Sequence, residues 1–332
     1  MGYLMKLLVF EYSSICLNEN LLSEGFNMLK CILDDLDKNT FFDVSYLINE
    51  KIDSFNYDNL KAIYLKDDLI NWLKINSKDF DYSLFIAPED DLIQYNITKI
   101  LEENNVSIIG CDSVSSYIWS SKRLTYNKVS EDILKIDTIK YNTDEIDYEI
   151  ITHKINNKIF IIKPDNKTSS DLIYVIDNED ICNKVKNIYG KNNIDYLLVQ
   201  EYIEGMPISV SLICNGNDTN FLSINSQEII QNDGKIEYLG CKTPIKHHLE
   251  NELIKISNKI VECIPGLKGF VGIDYIIQDE KIFFVEINSR ITTPYIVLQK
   301  NCNQNLTNSI IDFVLNNNKI DLKFEKQGKF IR

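Results

Sequence analysis

Three side chains near the end of the sequence carry oxygen atoms that could converge on one face of a β-hairpin. Glu286 interrupts the apolar run IFFVEIN, and Asn288 lies two residues further on, so both point to the same face of a strand. A turn near position 280 would place Asp274 opposite Glu286. Buried carboxylates need a positive partner, and hard oxygen ligands suit Mg²⁺ or Mn²⁺. The pattern predicts a metal site; a buried ion pair with Arg290 and no metal is the alternative.

Two lysines have positions suited to binding phosphate groups. Lys163 ends the predicted strand IFIIK just before a proline, and Lys122 lies in a predicted helical stretch over 113–131. An ordinary surface lysine is the alternative interpretation for each. The strand YLLVQEYI (196–203) runs out towards Gly205, and the backbone of such a strand end could pair with the edge of a purine. A plain strand and turn explains the same residues.

Arginine is rare in this chain, which makes each arginine informative. Of the 35 basic residues, only Arg123, Arg290 and Arg332 are arginines. A lysine cannot reproduce the planar fork with which arginine binds a phosphate or a carboxylate. Because Arg290 lies just beyond Asn288, we expect it to act in a reaction rather than in folding.

The first part of the sequence alternates strand and helix patterns, which predicts a parallel sheet covered by helices. Apolar runs indicate strands over 7–12, 42–48, 81–87 and 106–110. Helical spacing of apolar residues indicates helices over 21–36, 66–75 and 89–104. No GxGxxG motif follows the first strand, so a dinucleotide-binding fold has little support.

Antiparallel β-structure is predicted for the rest of the chain, together with three helices. Hairpins are expected over 148–164 and 269–288, and helices near 178–189, 248–263 and 303–315, before a polar tail. We therefore predict an α/β and α+β architecture in three consecutive parts. These are a parallel α/β domain over 1–112, linker helices with a small lid subdomain over 113–203, and an antiparallel subdomain carrying the metal site over 204–332.

Composition and charge argue against several classes of protein. The chain has 332 residues and a net charge of −14, which disfavours general binding to nucleic acids or anionic membranes. It has no apolar run long enough for a transmembrane helix and no secretory signal pattern. The eight cysteines form no CxxC pair, which is typical of reduced thiols, so we expect a cytoplasmic protein. The three histidines, without HExxH or GxSxG motifs, disfavour zinc hydrolases and serine esterases.

Together these features resemble the ATP-grasp superfamily. The resemblance covers about residues 113–299, with the preceding α/β domain in its usual place, and its most specific motif is the EIN-x-R step at 286–290. It implies an ATP-grasp fold with a parallel α/β N-terminal domain, a small lid domain and an antiparallel C-terminal domain. It also implies roles for particular residues.

The implied roles concern ATP and its metal ions. Lys122 and Lys163 resemble the lysines that contact the phosphates. The trio that resembles the ligands of two Mg²⁺ or Mn²⁺ ions is Asp274, Glu286 and Asn288. The hinge residues that resemble the adenine-reading segment are Gln200, Glu201, Tyr202 and Ile203.

Within the superfamily, the chain is most similar to the archaeal tyramine–L-glutamate ligases of methanofuran biosynthesis. The segments that carry this likeness are FEY at 10–12, EGFNML at 24–29, IPGLKGFVGIDY at 264–275 and EINSRITTPY at 286–295. It implies a ligase that forms an amide through an acylphosphate, with ATP, L-glutamate, and tyramine or another amine as substrates. Another amino-acid or dipeptide ligase and a catalytically silent nucleotide-binding protein are the alternatives, and a homodimer is left open.

Several further residues are expected to act on the substrates. Arg290 would hold the acyl substrate and stabilise the charge that develops during transfer. The residues expected to contact substrates are Glu11, Lys242, Thr292 and Thr293.

Two departures from the superfamily pattern affect the expected affinity for ATP. The loop over 165–171, which is normally rich in glycine, contains none, so hydroxyl groups such as that of Ser169 would have to replace bare backbone near the phosphates. Pro207 stands where an acid commonly binds ribose. We therefore expect turnover with poor affinity for ATP.

Overall fold

The structure is a computed structural model that describes residues 4–53, 55–66, 68–165 and 172–332. Two sheets organise the described residues, one with five strands in the first part of the chain and one with ten strands in the rest. No helix in these ranges combines the length and the apolar character that crossing a bilayer requires.

The first part of the chain forms the five-stranded sheet. Its elements in chain order are β1 (Met5–Glu11), α1 (Tyr12–Cys16), α2 (Leu22–Leu36), β2 (Phe42–Asn49), β3 (Leu60–Leu65), α3 (Leu69–Asn76), β4 (Tyr82–Ile86), α4 (Ile93–Glu103) and β5 (Ser107–Ile108). The strands are all parallel and follow the order β3-β2-β1-β4-β5. Central strand β1 is apolar along most of its length because parallel sheets are buried on both faces.

The rest of the chain builds an antiparallel sheet with helices packed on it. Its elements in chain order are α5 (Ser113–Trp119), α6 (Lys122–Lys128), β6 (Thr138–Asn142), α7 (Tyr148–Ile155), β7 (Phe160–Lys163), β8 (Tyr174–Ile176), α8 (Glu179–Lys191), β9 (Tyr196–Glu201), β10 (Met206–Asn215), β11 (Thr219–Asn232), β12 (Lys235–Ile245), α9 (Glu250–Glu262), β13 (Lys268–Gln278), β14 (Lys281–Asn288), α10 (Pro294–Asn301), α11 (Leu306–Asn316) and β15 (Gly328–Ile331). The strand order is β14-β13-β10-β11-β12-β8-β7-β9-β6, and β15 pairs with β12.

The hairpin predicted over 148–164 is wrong in its first half, which forms the helix α7. Asp147 caps this helix, because its side chain accepts a hydrogen bond from the backbone N–H of Ile150 at 3.0 Å. Asn156 ends the helix in the left-handed conformation, with φ at 53°. These two caps outweigh the β-branched composition of the segment. Strand β7 pairs instead with β8 and β9.

Several elements were not predicted from the sequence, and the reason is clear for three of them. Strand β3 is a partly exposed edge strand, so its apolar pattern is weak. Helix α10 begins directly at Pro294, a residue that suits the first turn of a helix. Strand β15 lies in the tail that was expected to be only polar, and it is held by pairing with β12.

Strands β6 to β9 join the larger half of the antiparallel sheet through a narrow junction. In the described residues, the register between β8 and β12 contains one pair, Tyr174 opposite Lys235. Two backbone hydrogen bonds flank it, from Val175 N to Gly234 O at 2.7 Å and from Ile236 N to Ile173 O at 2.9 Å. The two halves of this sheet are therefore continuous but weakly connected.

The C-terminal helices pack against the first domain of the chain. Leu29 and Ile32 of α2 share a buried core with Tyr295 of α10 and Ile310 of α11. The buried carboxylate of Asp35 accepts hydrogen bonds from the backbone N–H of Thr307 at 2.9 Å and from its hydroxyl at 2.8 Å. Helix α11 is thus fixed to α2 at its first turn, and the two parts of the chain are held together around the cavity described below.

Close packing of Gly25 against Glu11 gives a test of how α2 packs against the end of β1. A Cβ atom at position 25 would lie 2.4 Å from the carboxyl carbon of Glu11, whereas Gly190, in the last turn of α8, has open space around it. We expect Gly25→Ala to lower the free energy of unfolding by about 1–3 kcal/mol. The control Gly190→Ala should leave it unchanged or raise it by up to about 1 kcal/mol. Urea unfolding followed by circular dichroism measures both, and equal stability of the two variants would contradict the packing.

Candidate active site

An ion pair between Lys122 and Glu286 lies at the centre of the candidate site. Strands β13 and β14 place Asp274 directly opposite Glu286, which confirms the predicted hairpin register. Nζ of Lys122 lies 3.1 Å from Oε2 of Glu286, and the lysine side chain is only 8% exposed. Nδ2 of Asn288 donates a hydrogen bond to Oδ2 of Asp274 at 3.3 Å. The side chains of Asp274, Glu286 and Asn288 therefore lie together, and Lys122 forms an ion pair with one of them.

Asp165 explains why the two predicted lysines come to the same place. Its Oδ1 accepts a hydrogen bond from the backbone N–H of Arg123 at 2.9 Å, and its carbonyl accepts one from the N–H of Lys122 at 3.2 Å. The hydroxyl of Ser121, which caps α6, donates to the same carboxylate at 3.0 Å. These bonds attach the first turn of α6 to the end of β7. Lys163, the last residue of β7, is consequently held near Lys122 and is 4% exposed.

The charges in this cluster act strongly on one another. Burial, and then the like charge of Lys122, lower the pKa of Lys163 to about 7. Burial opposes the negative charge of Glu286, but the two lysines outweigh it and lower the pKa of this carboxyl. Burial, and then repulsion from Glu286, raise the pKa of Asp274. The site therefore has two lysines that suit an anionic ligand, of which Lys163 loses its proton readily, and one carboxyl that favours a proton or a metal ion.

Arg290 pairs with Glu89 rather than with the hairpin carboxylates. Nε of Arg290 donates to Oε2 of Glu89 at 2.9 Å, and the backbone N–H of Ser289 donates to Oε1 at 3.1 Å. Burial opposes the charge on Arg290, but Glu89 outweighs it and raises the pKa of the guanidinium. The alternative prediction, an ion pair between Arg290 and the hairpin acids, is therefore wrong for Glu286. The partner of Glu286 is Lys122, and the partner of Arg290 is Glu89.

Glu89 was not identified from the sequence, which placed it at the start of a helix. Helix α4 begins only at Ile93, and Glu89 lies in the loop that follows β4. The available signal was an acidic residue just past the carboxyl end of a parallel strand, where α/β sheets commonly place functional groups.

A large cavity adjoins this cluster between the β6–β9 half of the sheet and the β13–β14 hairpin. One end is apolar, and its lining residues there are Ile136, Ile161, Ile173, Ile236, Ile276 and Val285. Gln200 also lines this end, and its Nε2 donates to the hydroxyl of Thr138 at 2.6 Å, which holds β9 to β6. The other three hinge residues, Glu201, Tyr202 and Ile203, do not line the cavity.

The opposite end of the cavity is formed by the N-terminal domain and the last residues of the chain. Glu11 and Thr292, both expected to contact substrates, line it, but both oxygens of Glu11 already accept backbone hydrogen bonds and cap α1. Thr293 lines it too and donates a hydrogen bond to Glu24. Arg332, whose Nε lies 3.7 Å from Oε2 of Glu24, completes this end. Neither Glu24 nor Arg332 was predicted to contribute.

Two further predicted residues are not brought to this site by the described structure. Lys242 is exposed, because Cys241 and Thr243 on either side of it point into the protein and strand side chains alternate. It does not line the cavity. Ser169 and the rest of the expected phosphate loop lie outside the described residues, apart from Asp165.

The donor atoms around Asp274 fit a hard divalent cation. Two carboxylates face each other across the hairpin, the amide of Asn288 contacts one of them, and Nε2 of Gln227 donates to Asp274 at 3.0 Å. Within the described ranges, no group of three or more His, Cys, Asp or Glu residues could hold a metal ion by itself. The residues present therefore suit Mg²⁺ or Mn²⁺ only when a ligand such as a phosphate supplies further oxygens.

Comparisons with known sequences identify the domain. The ATP-grasp domain profile matches residues 119–294. A tyramine–L-glutamate ligase from Methanocaldococcus fervens is 32% identical and aligns over 97% of this chain and 98% of its own. A protein of the same name from Methanocaldococcus jannaschii is 31% identical over 97% of this chain and 92% of its own.

Solved structures show the same fold. An ATP-grasp superfamily protein from Archaeoglobus fulgidus superposes with a TM-score of 0.70 at 24% identity, covering 92% of this chain and 88% of that one. The D-alanine–D-alanine ligase of Bacillus anthracis in complex with ATP superposes with a TM-score of 0.60 at 18% identity, covering 86% of each chain.

The lowered pKa of Lys163 predicts that binding of a polyphosphate is coupled to proton uptake. Lys163 is largely neutral at pH 8 because its pKa is about 7, and a bound phosphate would raise that pKa and recharge the amine. Inorganic tripolyphosphate is titrated into the protein in a calorimeter, with EDTA present, at pH 8 and in buffers of different ionisation enthalpy. The titrations should show uptake of up to one proton at pH 8 and less uptake at pH 6. Lys163→Met should abolish the uptake, whereas Lys158→Met, at an exposed position, should preserve it. Equal uptake at both pH values would contradict the assignment.

Proposed function

The chain belongs to the ATP-grasp family, and from that premise we propose that it joins the γ-carboxylate of L-glutamate to tyramine. The predicted ATP-grasp fold and the predicted activity of an ATP-dependent carboxylate–amine ligase are confirmed. The two substrates are taken from the names of the relatives, and they would place the reaction in methanofuran biosynthesis.

One observation carries the proposal for the site. Two buried lysines, Lys122 and Lys163, approach the paired carboxylates of the β13–β14 hairpin beside a cavity that continues to Arg290. Glu286 pairs with Lys122 and Glu89 pairs with Arg290, so an anionic ligand would add the negative charge that favours the protonated form of the buried Lys163. A triphosphate would supply this charge.

The nucleotide is proposed to lie with its base at the apolar end of the cavity. Isoleucines from both halves of the antiparallel sheet, among them Ile161 and Ile276, provide two apolar walls for a flat ring. Gln200, the one of the four hinge residues that lines this end, is proposed to read the edge of the base. Lys163 and Lys122 would then neutralise the phosphates.

ATP-grasp ligases use ATP together with divalent metal ions. In this chain Asp274, Glu286 and Asn288 would hold two Mg²⁺ or Mn²⁺ ions. When bound, these ions neutralise phosphate charge and orient the triphosphate. The lysines, which lie beside Glu286, contribute to the same neutralisation, so the site relies on positioning and charge rather than on a protein nucleophile.

Arg290 is proposed to hold the acyl substrate. An oxygen of the γ-carboxylate attacks the γ-phosphorus of ATP, the bond to ADP breaks, and an acylphosphate forms. The neutral amine then attacks the acyl carbon, phosphate leaves with the bonding electrons, and the amine loses a proton. The guanidinium can stabilise the carboxylate and the developing charge because Glu89 fixes its orientation through Nε and leaves other N–H groups available.

Measuring ADP release distinguishes this function from the alternatives. Release that requires both L-glutamate and tyramine supports the proposal. Release with other amino acids and amines would indicate a different amino-acid ligase of the same fold. Binding of ATP without release for any pair tested would indicate a silent nucleotide-binding protein.

Removing one charge at the hairpin tests the metal assignment. Glu286→Gln keeps the shape of the side chain but removes the charge that faces Lys122, so we expect turnover to be abolished and the fold to be retained. The control is Glu280→Gln, at an exposed position in the turn of the same hairpin. ADP release at saturating Mg²⁺ or Mn²⁺ measures both, and wild-type rates in Glu286→Gln would refute the assignment.

The fork of Arg290 can be tested separately from its charge. Arg290→Lys keeps the charge but loses the planar pair of donors, so kcat/KM should fall at least about tenfold, or about 1.4 kcal/mol of transition-state stabilisation. The control Arg123→Lys changes an exposed arginine and should have no effect. Full activity of Arg290→Lys would show that the fork is not needed.

A further inference from the structure

We propose that Glu24 and Arg332 bind the amino and carboxyl groups on the α-carbon of L-glutamate, at the end of the cavity away from the apolar base site. The inference rests on the proposed function and adds the residues that would recognise one of its substrates. Glu24 belongs to the segment 24–29 that carried part of the sequence likeness but received no role there.

The geometry leaves both side chains able to bind a ligand. Nε of Arg332 lies 3.7 Å from Oε2 of Glu24, which is too long for a direct hydrogen bond. The other oxygen of Glu24 accepts from the hydroxyl of Thr293, and one terminal nitrogen of Arg332 donates to the carbonyl of Asn20. The side chains of Glu24 and Arg332 are 13% and 24% exposed, and both line the cavity. Oε2 and the remaining guanidinium donors are therefore oriented but not saturated.

The chemistry of the pair selects among the three substrates. Arg332 beside Glu24 complements a ligand that carries an anionic group and a cationic group close together, the first for the arginine and the second for the glutamate. L-Glutamate has this arrangement at its α-carbon, where an ammonium and a carboxylate are attached together. Tyramine lacks it, because its amine must be neutral to attack and its other end is an uncharged phenol. ATP carries only negative charge.

The chain connects this pair to the reacting end of the site. Thr292 and Thr293, which line the cavity, directly follow Ile291 and the Arg290 proposed to hold the γ-carboxylate. One short segment would therefore contact both ends of a bound glutamate. The side chain of the glutamate would extend along the two threonines, from its α-carbon towards the γ-phosphate of ATP.

Strand β15 explains how Arg332 reaches the cavity. Gly240 on β12 lies opposite Ile331 on β15, and a Cβ atom at Gly240 would lie 2.1 Å from the carbonyl oxygen of Phe330. The backbone N–H of Arg332 donates to the carbonyl of Leu239 at 2.9 Å. This close pairing fixes the backbone from which the arginine extends towards Glu24.

The test is calorimetric binding of L-glutamate to the full chain with Mg²⁺ and a non-hydrolysable ATP analogue. Glu24→Gln and Arg332→Gln should each weaken binding at least about tenfold, with the affinity for the ATP analogue unchanged. The matched control is Glu228→Gln. It removes the 2.7 Å ion pair between Glu228 and Lys329, which also holds β15, but Glu228 does not line the cavity.

Two glutamate analogues assign each side chain to its partner group. Glutarate lacks the α-amino group, and 4-aminobutyrate lacks the α-carboxylate. The wild type should bind both more weakly than L-glutamate. Glu24→Gln should lose the preference over glutarate and keep that over 4-aminobutyrate, and Arg332→Gln should show the reverse pattern.

Each outcome separates this inference from the proposed function. If the wild type binds and uses L-glutamate but the variants keep normal affinity and discrimination, the inference is overturned and the function stands. A change in the KM for tyramine, with glutamate binding unaffected, also overturns it. If the variants behave as expected but tyramine supports no ADP release, the inference stands and the proposed amine is wrong. If the wild type does not bind L-glutamate, both fail.

Discussion

The rest of the site depends on the need to balance charge around the buried carboxylates of the β13–β14 hairpin. Glu286 is held ionised by Lys122 at 3.1 Å and by the nearby Lys163, while Asp274 opposite it keeps a raised pKa. Charges cannot be left unpaired in such a place without a large cost in stability. Asp165 is therefore as important to the site as the lysines, because it fixes the start of α6 to the end of β7.

A second set of polar contacts fixes the first domain to the remainder of the chain. Glu89 accepts hydrogen bonds from Arg290 and Ser289, and Asp35 accepts two from Thr307 at the start of α11. Both acids are buried and belong to the N-terminal domain. Because of them, the end of the cavity that faces α2 is part of the same rigid frame as the hairpin.

The features predicted from the sequence were those set by local rules. The register of Asp274 against Glu286 follows from strand alternation and a short turn, and it is confirmed. The hairpin over 148–164 failed because the caps at Asp147 and Asn156 outweighed composition. Glu89, Gln227, Glu24 and Arg332 were not found, since each acts through a partner far away in the chain, and only Glu89 had a local signal, its place just past a parallel strand. The domain boundaries and the role of Ser169 stay predictions.

The narrow junction between β8 and β12 has a mechanical consequence. One residue pair in register and two flanking hydrogen bonds carry the connection within one continuous sheet. A rotation there would disturb few contacts within the sheet, and the separate core around Phe160 and Tyr189 would move as a block, but the bonds from Asp165 to α6 would oppose it. The side of the cavity formed by the β13–β14 hairpin and its neighbouring strands would stay fixed, because helices pack behind these strands. Release of a spent nucleotide by such a rotation would therefore require bending of the sheet at this junction together with a movement of α6, rather than unfolding of either half.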